Sequence, residues 1–350
     1  MPIKVRTDGK RFTVFADNRV ISPERDMHTA LVEIGGCHYN TFQECYNFPI
    51  TTFIAHELVK LSIVAGERIE GDEAFKLKSK AFKKLMALQS VKTATNLEQP
   101  AIRTLDEWTW QLQGYHLSKD IESALFWMGV GTGKSRLAID LLQNAQHRQT
   151  LLTMPDHLIT DEECWDKSFE ECMKDDYQLQ VLDYGSSKKN AKVAAEAVKY
   201  MGSSKVPLII AINYSNVWRG DFADWLFESG FGTLWIADEI HKLKSPGGSV
   251  SKFMARIGPR FRQRLGLTGT LYHNSQLDTY GAVRALDPAI LGTSYERFRA
   301  EYAVVRDFDG APIVVGYKNQ KQLADRIAPI THLVDESVLE QPEPIHDARS

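Results

Sequence analysis

Residues 126–135 read Phe-Trp-Met-Gly-Val-Gly-Thr-Gly-Lys-Ser, a glycine-rich turn that closes on Gly-Lys-Ser. Glycines at 129, 131 and 133 let a backbone wrap around phosphates with its amide N–H groups pointing inward at a helix N-terminus. In that arrangement Lys134 reaches the β- and γ-phosphates of a nucleotide, and the Ser135 hydroxyl holds Mg²⁺. The residues expected to touch nucleotide are Gly129, Val130, Gly131, Thr132, Gly133, Lys134, Ser135 and Arg136. One position departs from the strict pattern: Met128 stands where a phosphate loop usually opens with glycine.

Downstream, the apolar run Leu234-Trp-Ile-Ala237 ends in Asp238-Glu239-Ile240-His241. A strand ending in adjacent carboxylates suits nucleotide hydrolysis. Asp238 would hold Mg²⁺ through its water shell, and Glu239 would orient or deprotonate the attacking water. An exposed acidic turn is the plainer reading of such a pair, and the upstream phosphate loop argues against it. His241 lies on the same turn, placed to report the nucleotide state. Lys134, Asp238, Glu239 and His241 are therefore the expected catalytic set. Next, Leu265-Gly-Leu-Thr268-Gly269-Thr270 closes a strand on small hydroxyl residues that could bond to the 238–241 turn and couple hydrolysis to movement. Alone, such a turn is ordinary loop chemistry. Upstream of the loop, Gln111 carries an amide that both donates and accepts, as bidentate reading of an adenine edge requires. Isolated, it would be a surface glutamine.

These groups need a scaffold. From about residue 100, apolar runs at 124–128, 150–154, 178–182, 207–212, 233–237 and 264–267 alternate with helical stretches such as 189–201. Continuous apolar strands between helices predict an α/β fold, a parallel sheet with helices on both faces. Ligands sit at the carboxyl ends of such strands, where every motif above falls. Residues 1–95 read as a small α+β domain. Strands are expected at 11–16, 31–34 and 45–48, with turns at Asp8-Gly9 and Gly35-Gly36. Thr51-Thr52 opens a helix over 53–64, and a second follows at 75–88. The second carries Lys76, Lys78, Lys80, Lys83 and Lys84, which either lie along a phosphate backbone or form a solvated face. The expected division is 1–95 accessory domain, 96–335 phosphate-loop lobe and 336–350 linker, the last marked by Pro342 and Pro344.

Composition narrows the partners. The chain has 350 residues, 43% hydrophobic and 25% charged, enough for two domains and an ordinary core. A net charge of −3 gives no global pull toward nucleic acid, so such binding needs local patches. Cys37, Cys45, Cys164 and Cys172 lack metal-site spacing and read as reduced cytosolic thiols. The polar N-terminus is no signal peptide, and no apolar run approaches the ~20 residues of a membrane span.

Taken in order, Gln111, the GTGKS loop, the strand over 151–155 with Trp165 after it, Asn213-Tyr214, DEIH and LTGT resemble superfamily-two helicase-like ATPases. More narrowly they resemble the SWI/SNF-type DNA translocases, including phage and annealing-helicase members. Asn274, Leu277, Asp278, the tract 285–292, Tyr295, Phe298 and Tyr302 are similar to the run that follows the LTGT motif there. Residues 328–332 and 338–344 resemble the passage out of that family's first lobe. The likeness covers roughly 100–345, and 34–49 with the following helix is similar to the small DNA-binding domain of annealing helicases. Leu271, where proline is usual, and DEIH in place of DEAH or DEGH depart from the pattern without removing a catalytic group. Glycine at 128 is not required in that family.

The resemblance implies a RecA-like lobe that binds ATP, with Mg²⁺ on Ser135 and Asp238. It implies double-stranded or branched DNA held by Pro155, Asp156, His157, Tyr214, Ser215, Ser249 and Lys252, and coupling through Thr268, Gly269 and Thr270. It also implies a second RecA-like lobe, in trans or in a longer parent chain, whose arginines complete the site. The expected function is the ATP-binding lobe of a DNA-dependent ATPase, a translocase or helicase-like remodeller, in bacterial or phage-infected cytoplasm. The alternative is a non-motor ATP- and DNA-binding module, silent alone. A small-molecule kinase would lack the DEIH–LTGT–Asn274 order.

Overall fold

The computed structural model describes residues 2–9, 11–23, 25–34, 36–104, 106–159, 165–202, 206–272, 275–308 and 311–339. Gly35, Cys164, Asn274 and 340–350 of the expected linker lie outside the described residues.

The N-terminal part runs β1 (Ile3–Thr7), β2 (Arg11–Phe15), β3 (Val20–Ser22), β4 (Arg25–Asp26), α1 (Met27–Glu33), β5 (His38–Asn40), β6 (Cys45–Pro49), α2 (Thr52–Val64), β7 (Ile69–Gly71) and α3 (Glu73–Ala87). Five of the strands form one sheet in the order β5-β6-β2-β1-β7. Period-two alternation sends Ile3, Val5, Phe12 and Val14 into a core with Met27, Leu31, Ile54, Leu58 and Phe75 of the helices. The strand expected over 31–34 is not there. Those residues end α1, because Asp26 caps it by accepting from the Thr29 amide and Met27, Ala30 and Leu31 bury one helical stripe. Thr51 caps α2 at the expected place, accepting from the Ile54 amide at 3.2 Å.

The lobe follows as α4 (Thr109–Ser118), β8 (Ser123–Met128), α5 (Lys134–Asn144), β9 (Gln149–Met154), α6 (Asp156–Ile159), α7 (Trp165–Cys172), β10 (Gln178–Leu182), α8 (Ser187–Met201), β11 (Leu208–Asn213), α9 (Gly220–Ser229) and β12 (Leu234–Ala237). It continues with α10 (Ser249–Ile257), β13 (Gln263–Thr268), α11 (Thr279–Leu286), α12 (Pro288–Leu291), α13 (Tyr295–Tyr302), β14 (Ala303–Phe308), β15 (Ala311–Tyr317), α14 (Gln320–Ile327) and β16 (Thr331–Val334). Seven strands make a sheet in the order β10-β11-β9-β12-β13-β8-β16, parallel at every pairing. All six expected lobe strands are present. The seventh, β16, and the antiparallel β14–β15 hairpin were not anticipated. Consecutive residues of β8 explain the continuous apolar reading. Ala124, Phe126 and Met128 join Leu137, Leu141 and Phe169 in one core layer, while Leu125 joins Leu151, Trp235 and Tyr280 in the other.

Charges tie the two parts together. The Glu122 carboxylate accepts from the Thr52 amide at 2.8 Å and from the Lys78 ammonium, and lies 3.9 Å from the fully buried Arg264 guanidinium. Lys84 pairs with Asp120 at 2.9 Å. Two of the five α3 lysines thus face the lobe's own carboxylates. Asp287 is fully buried and caps α12 through the Ala289 amide at 2.9 Å. Burial pushes its carboxyl up to about 6, against the attraction of Arg264.

An unfolded aspartate releases its proton near ~3.9, so between about pH 4 and pH 6 the native state binds more protons and stability falls as pH rises. Asp287→Asn should abolish that fall. In urea titrations the variant is expected to gain on the order of 2 kcal/mol relative to wild type across that window. A constant difference between the two would refute the assignment.

Candidate active site

The phosphate loop is shaped by backbone geometry and by α4. Gly131 and Gly133 adopt φ of 78° and 85°, a left-handed conformation that favours glycine. The Thr132 carbonyl accepts from the Trp110 indole at 3.1 Å and from the Gln111 amide at 3.2 Å. A Cβ on Gly133 would lie 2.0 Å from the Gln111 Nε2. Gln111 also accepts from the Trp108 amide at 2.9 Å, closing the first turn of α4. Its side chain therefore holds the loop as well as lying beside it. Lys134 Nζ donates to the Met128 and Gly129 carbonyls at 2.9 and 3.0 Å. Burial lowers its pKa, while Glu239, Asp238 and Glu336 pull it back up.

One position past Ser135, the Arg136 guanidinium faces Glu107 at 3.5 Å and Asp140 at 3.8 Å. Glu107 is pushed up to about 9, first by burial and then by Asp140, against the pull of Arg136.

Glu336 was missed. The segment after β16 lies on the loop: the Gly129 amide donates to the Val334 carbonyl at 2.9 Å, and the Val130 amide donates to Glu336 Oε1 at 3.1 Å. A Cβ on Gly129 would fall 2.1 Å from the Glu336 Cγ, so glycine there is a requirement of close approach. The expected linker over 336–350 thus begins with residues packed on the phosphate loop. No sequence motif announces this; only the unforeseen β8–β16 pairing brings 334–339 alongside.

At the end of β12, Asp238 is 7% exposed. Burial raises its carboxyl, and the Trp165 indole, donating to Oδ2 at 2.9 Å, counters this together with the Glu239 amide on Oδ1 at 3.0 Å. Glu239 takes a left-handed φ of 49°. Its Oε2 lies 3.0 Å from His241 Nδ1 and 3.3 Å from the Thr268 hydroxyl. Burial would raise its pKa, yet His241, Lys134 and Thr268 together hold it below the usual value. Thr268 also lies 3.1 Å from His241 Nδ1 and accepts from the Thr270 amide at 3.1 Å. Thr268 reaches the carboxylate turn by its side chain, whereas Thr270 takes part through its backbone. A Cβ on Gly269 would lie 3.7 Å from the Met128 carbonyl and 4.0 Å from Lys134 Nζ, so the 268–270 turn sits against the phosphate loop. The structure therefore gathers the loop, Asp238, Glu239, His241 and Thr268 at the carboxyl ends of β8, β12 and β13.

Asp238 and Ser135 offer hard oxygen donors of the kind Mg²⁺ prefers. Among the described residues no group of three or more His, Cys, Asp or Glu could hold a metal, so water and phosphate would complete an ion's shell.

The DNA-facing expectations divide. Asp156, His157, Ser249 and Lys252 are exposed, and Ser215 donates to Asp156 Oδ1 at 2.6 Å. Pro155 is buried. Tyr214 is buried too, with its hydroxyl donating to the Asp238 carbonyl at 2.9 Å. The expectation of DNA contact is corrected for these two side chains, which are buried where β9 and β11 end.

The family described as "Type III restriction enzyme, res subunit" matches residues 81–273, more than half of the chain, and the chain belongs to that family. Its lobe shares a fold with the SWI2/SNF2 ATPase core described below, in line with the resemblance noted above. The Caenorhabditis elegans protein "Transcriptional regulator ATRX homolog" is 25% identical over 203 residues, covering 50% of this chain and 14% of that protein. The SWI2/SNF2 ATPase core of Sulfolobus solfataricus, solved in complex with dsDNA, has a TM-score of 0.52 at 18% identity, covering 69% of this chain and 47% of that one. The UvsW helicase of bacteriophage T4 has a TM-score of 0.47 at 13% identity, covering 81% and 97%. This chain spans 14% of its curated relative and under half of the Sulfolobus chain.

A carboxylate on a phosphate-loop amide competes with a nucleotide phosphate for the same donor and the same lysine. Glu336→Gln is expected to bind ATP about three- to tenfold more tightly in calorimetry, a change of roughly 0.7–1.4 kcal/mol. Equal affinities would show that the carboxylate does not compete.

Proposed function

We propose that this chain is the ATP-binding first lobe of a DNA-dependent ATPase, acting as a double-stranded DNA translocase or helicase-like remodeller. The observation that carries it is the convergence of Lys134 with Asp238, Glu239 and the Thr268 turn at three neighbouring strand ends. The loop amides and Lys134 bind the phosphates. Ser135 and Asp238 would hold Mg²⁺, which neutralises phosphate charge when bound. Glu239, kept ionised and fixed by His241 and Thr268, orients the attacking water. Gln111 lies against the loop, and the remaining proton and lone pair of its amide are proposed to read adenine. His157, Ser215, Ser249, Lys252 and the backbone at 155–157 suit DNA phosphates, contacts that position without reading sequence. The relative solved with dsDNA supports this assignment.

A second RecA-like lobe, in trans or in a longer parent chain, is proposed to supply the arginines that stabilise the transferring phosphate. The partial span of the relatives supports it. Residues 1–95 are proposed as an accessory domain that can add DNA contacts, and 96–335 as the lobe proper. Among the described residues no helix is long and apolar enough to cross a membrane, and the proposed setting is bacterial or phage-infected cytoplasm. One observation favours the second reading, a binding module silent by itself: Glu336 already occupies a loop amide.

Lys134→Ala should weaken ATP binding at least about tenfold in calorimetry, a loss of some 1.4 kcal/mol. Affinity equal to wild type would overturn the nucleotide assignment. DNA-stimulated hydrolysis should be slow for the chain alone and rise steeply when a second-lobe protein is added, since an arginine finger is worth about 10³–10⁵ in rate. Glu239→Gln should bind ATP yet stay inactive in that mixture. Ordinary motor rates from the 350 residues alone would refute the need for the second lobe.

A further inference from the structure

Two hydrogen bonds reach Asp238 from residues that follow β9 and β11, strands on the other flank of β12 from β13 and β8. The Trp165 indole, 3% exposed at the start of α7, donates to Oδ2 at 2.9 Å. The Tyr214 hydroxyl, 6% exposed just after β11, donates to the backbone carbonyl at 2.9 Å. Trp165 opens α7, one short helix after β9, and Tyr214 directly follows β11; Asp156 and His157 after β9 are exposed, and Ser215 after Tyr214 is half-buried. Ser215 bonds to Asp156 at 2.6 Å, so the two loops are tied to each other at the surface. Beneath that tie, both reach the same residue.

The two bonds control what the sheet leaves free. The Asp238 amide is already fixed, donating to the Thr153 carbonyl at 2.8 Å. What remains is the rotamer of its carboxylate and the tilt of the 238–239 peptide. Trp165 sets the first. Tyr214 sets the second, and that peptide leads into Glu239, whose left-handed φ of 49° persists only where its surroundings dictate it. A shift of the 156/215 loops would therefore move the carboxylate of Asp238 and the carboxylate of Glu239 together.

We propose that Trp165 and Tyr214 are positioning residues that couple DNA engagement at the 156/215 loops to nucleotide binding, through the side chain and the carbonyl of Asp238. This rests on the reading of the chain as an ATP- and DNA-binding lobe, and adds to it the physical link between the two ligands. Coupling between sites is reciprocal: each ligand changes the affinity of the other by the same factor.

The test uses the full chain, a non-hydrolysable ATP analogue with Mg²⁺, and a duplex DNA of about 30 base pairs, long enough to span a lobe-sized footprint at 3.4 Å per pair. Analogue affinity is measured with and without DNA, and DNA affinity with and without analogue. Wild type should show the same factor both ways, at least about fivefold. Tyr214→Phe and Trp165→Phe each remove one donor and keep an aromatic ring, and each should bring the factor toward one. A merely structural loss would lower both affinities and leave their ratio unchanged, so an unchanged factor in both variants overturns the proposal. If one variant fails to fold, the other decides. A wild-type factor of one, with both ligands bound, also overturns it. Failure of wild type to bind either ligand overturns the underlying reading instead, and the coupling with it.

Discussion

The chemistry of this chain depends on the parallel pairing of β12, β13 and β8. Neighbouring strands lie about 4.8 Å apart, and their shared direction brings three loops to one edge of the sheet. The phosphate loop leaves β8, the Thr268 turn leaves β13 and the carboxylate turn leaves β12. Thr268 is the middle member, bonded to the carboxylate side through Glu239 and His241, while Gly269 beside it lies against Met128 and Lys134. Without that register, Lys134 and Glu239 would be unrelated charges.

A second constraint is the treatment of buried charge. Glu122 gathers the Thr52 amide, Lys78 and Arg264 where the N-terminal part meets the lobe, and Asp287 lies in the same buried region. Burial and Asp140 push the Glu107 carboxyl upward. At Asp238 the Trp165 indole and the Glu239 amide oppose burial without overcoming it, while His241, Lys134 and Thr268 hold Glu239 below its usual value. Burial prevails at Asp287 and Glu107, whose carboxyls are pushed up, while donors prevail at Glu239, which is held below its usual value. The difference lies in their neighbours, since burial acts on all of them.

The phosphate loop is held from two directions. Trp110 and Gln111 of α4 fix the Thr132 carbonyl on one side, and Val334 and Glu336 bond the Gly129 and Val130 amides on the other. The loop is thereby linked to the segment that follows β16.

Local chemistry in the sequence was enough to mark the nucleotide loop, the paired carboxylates, the Thr268 turn and six of the seven lobe strands. Each is a short-range statement: glycine where φ turns positive, apolar runs where both strand faces are buried, polar groups at strand ends. The helix over 27–33 escaped because its residues alternate well enough for a strand, and only the Asp26 cap and one buried stripe decide for helix. Pro155 and Tyr214 were expected at DNA through the family resemblance. Neighbours in sequence point different ways once strand geometry is imposed, which buried these two side chains while Asp156 and His157 stayed exposed. Trp165 on Asp238 and Glu336 on the loop join residues far apart in the chain through pairings that no local pattern encodes. The sequence determined which groups the site contains. The order of strands in the sheet decided which of them meet, because hydrogen-bonded neighbours are chosen by the packing of the whole core.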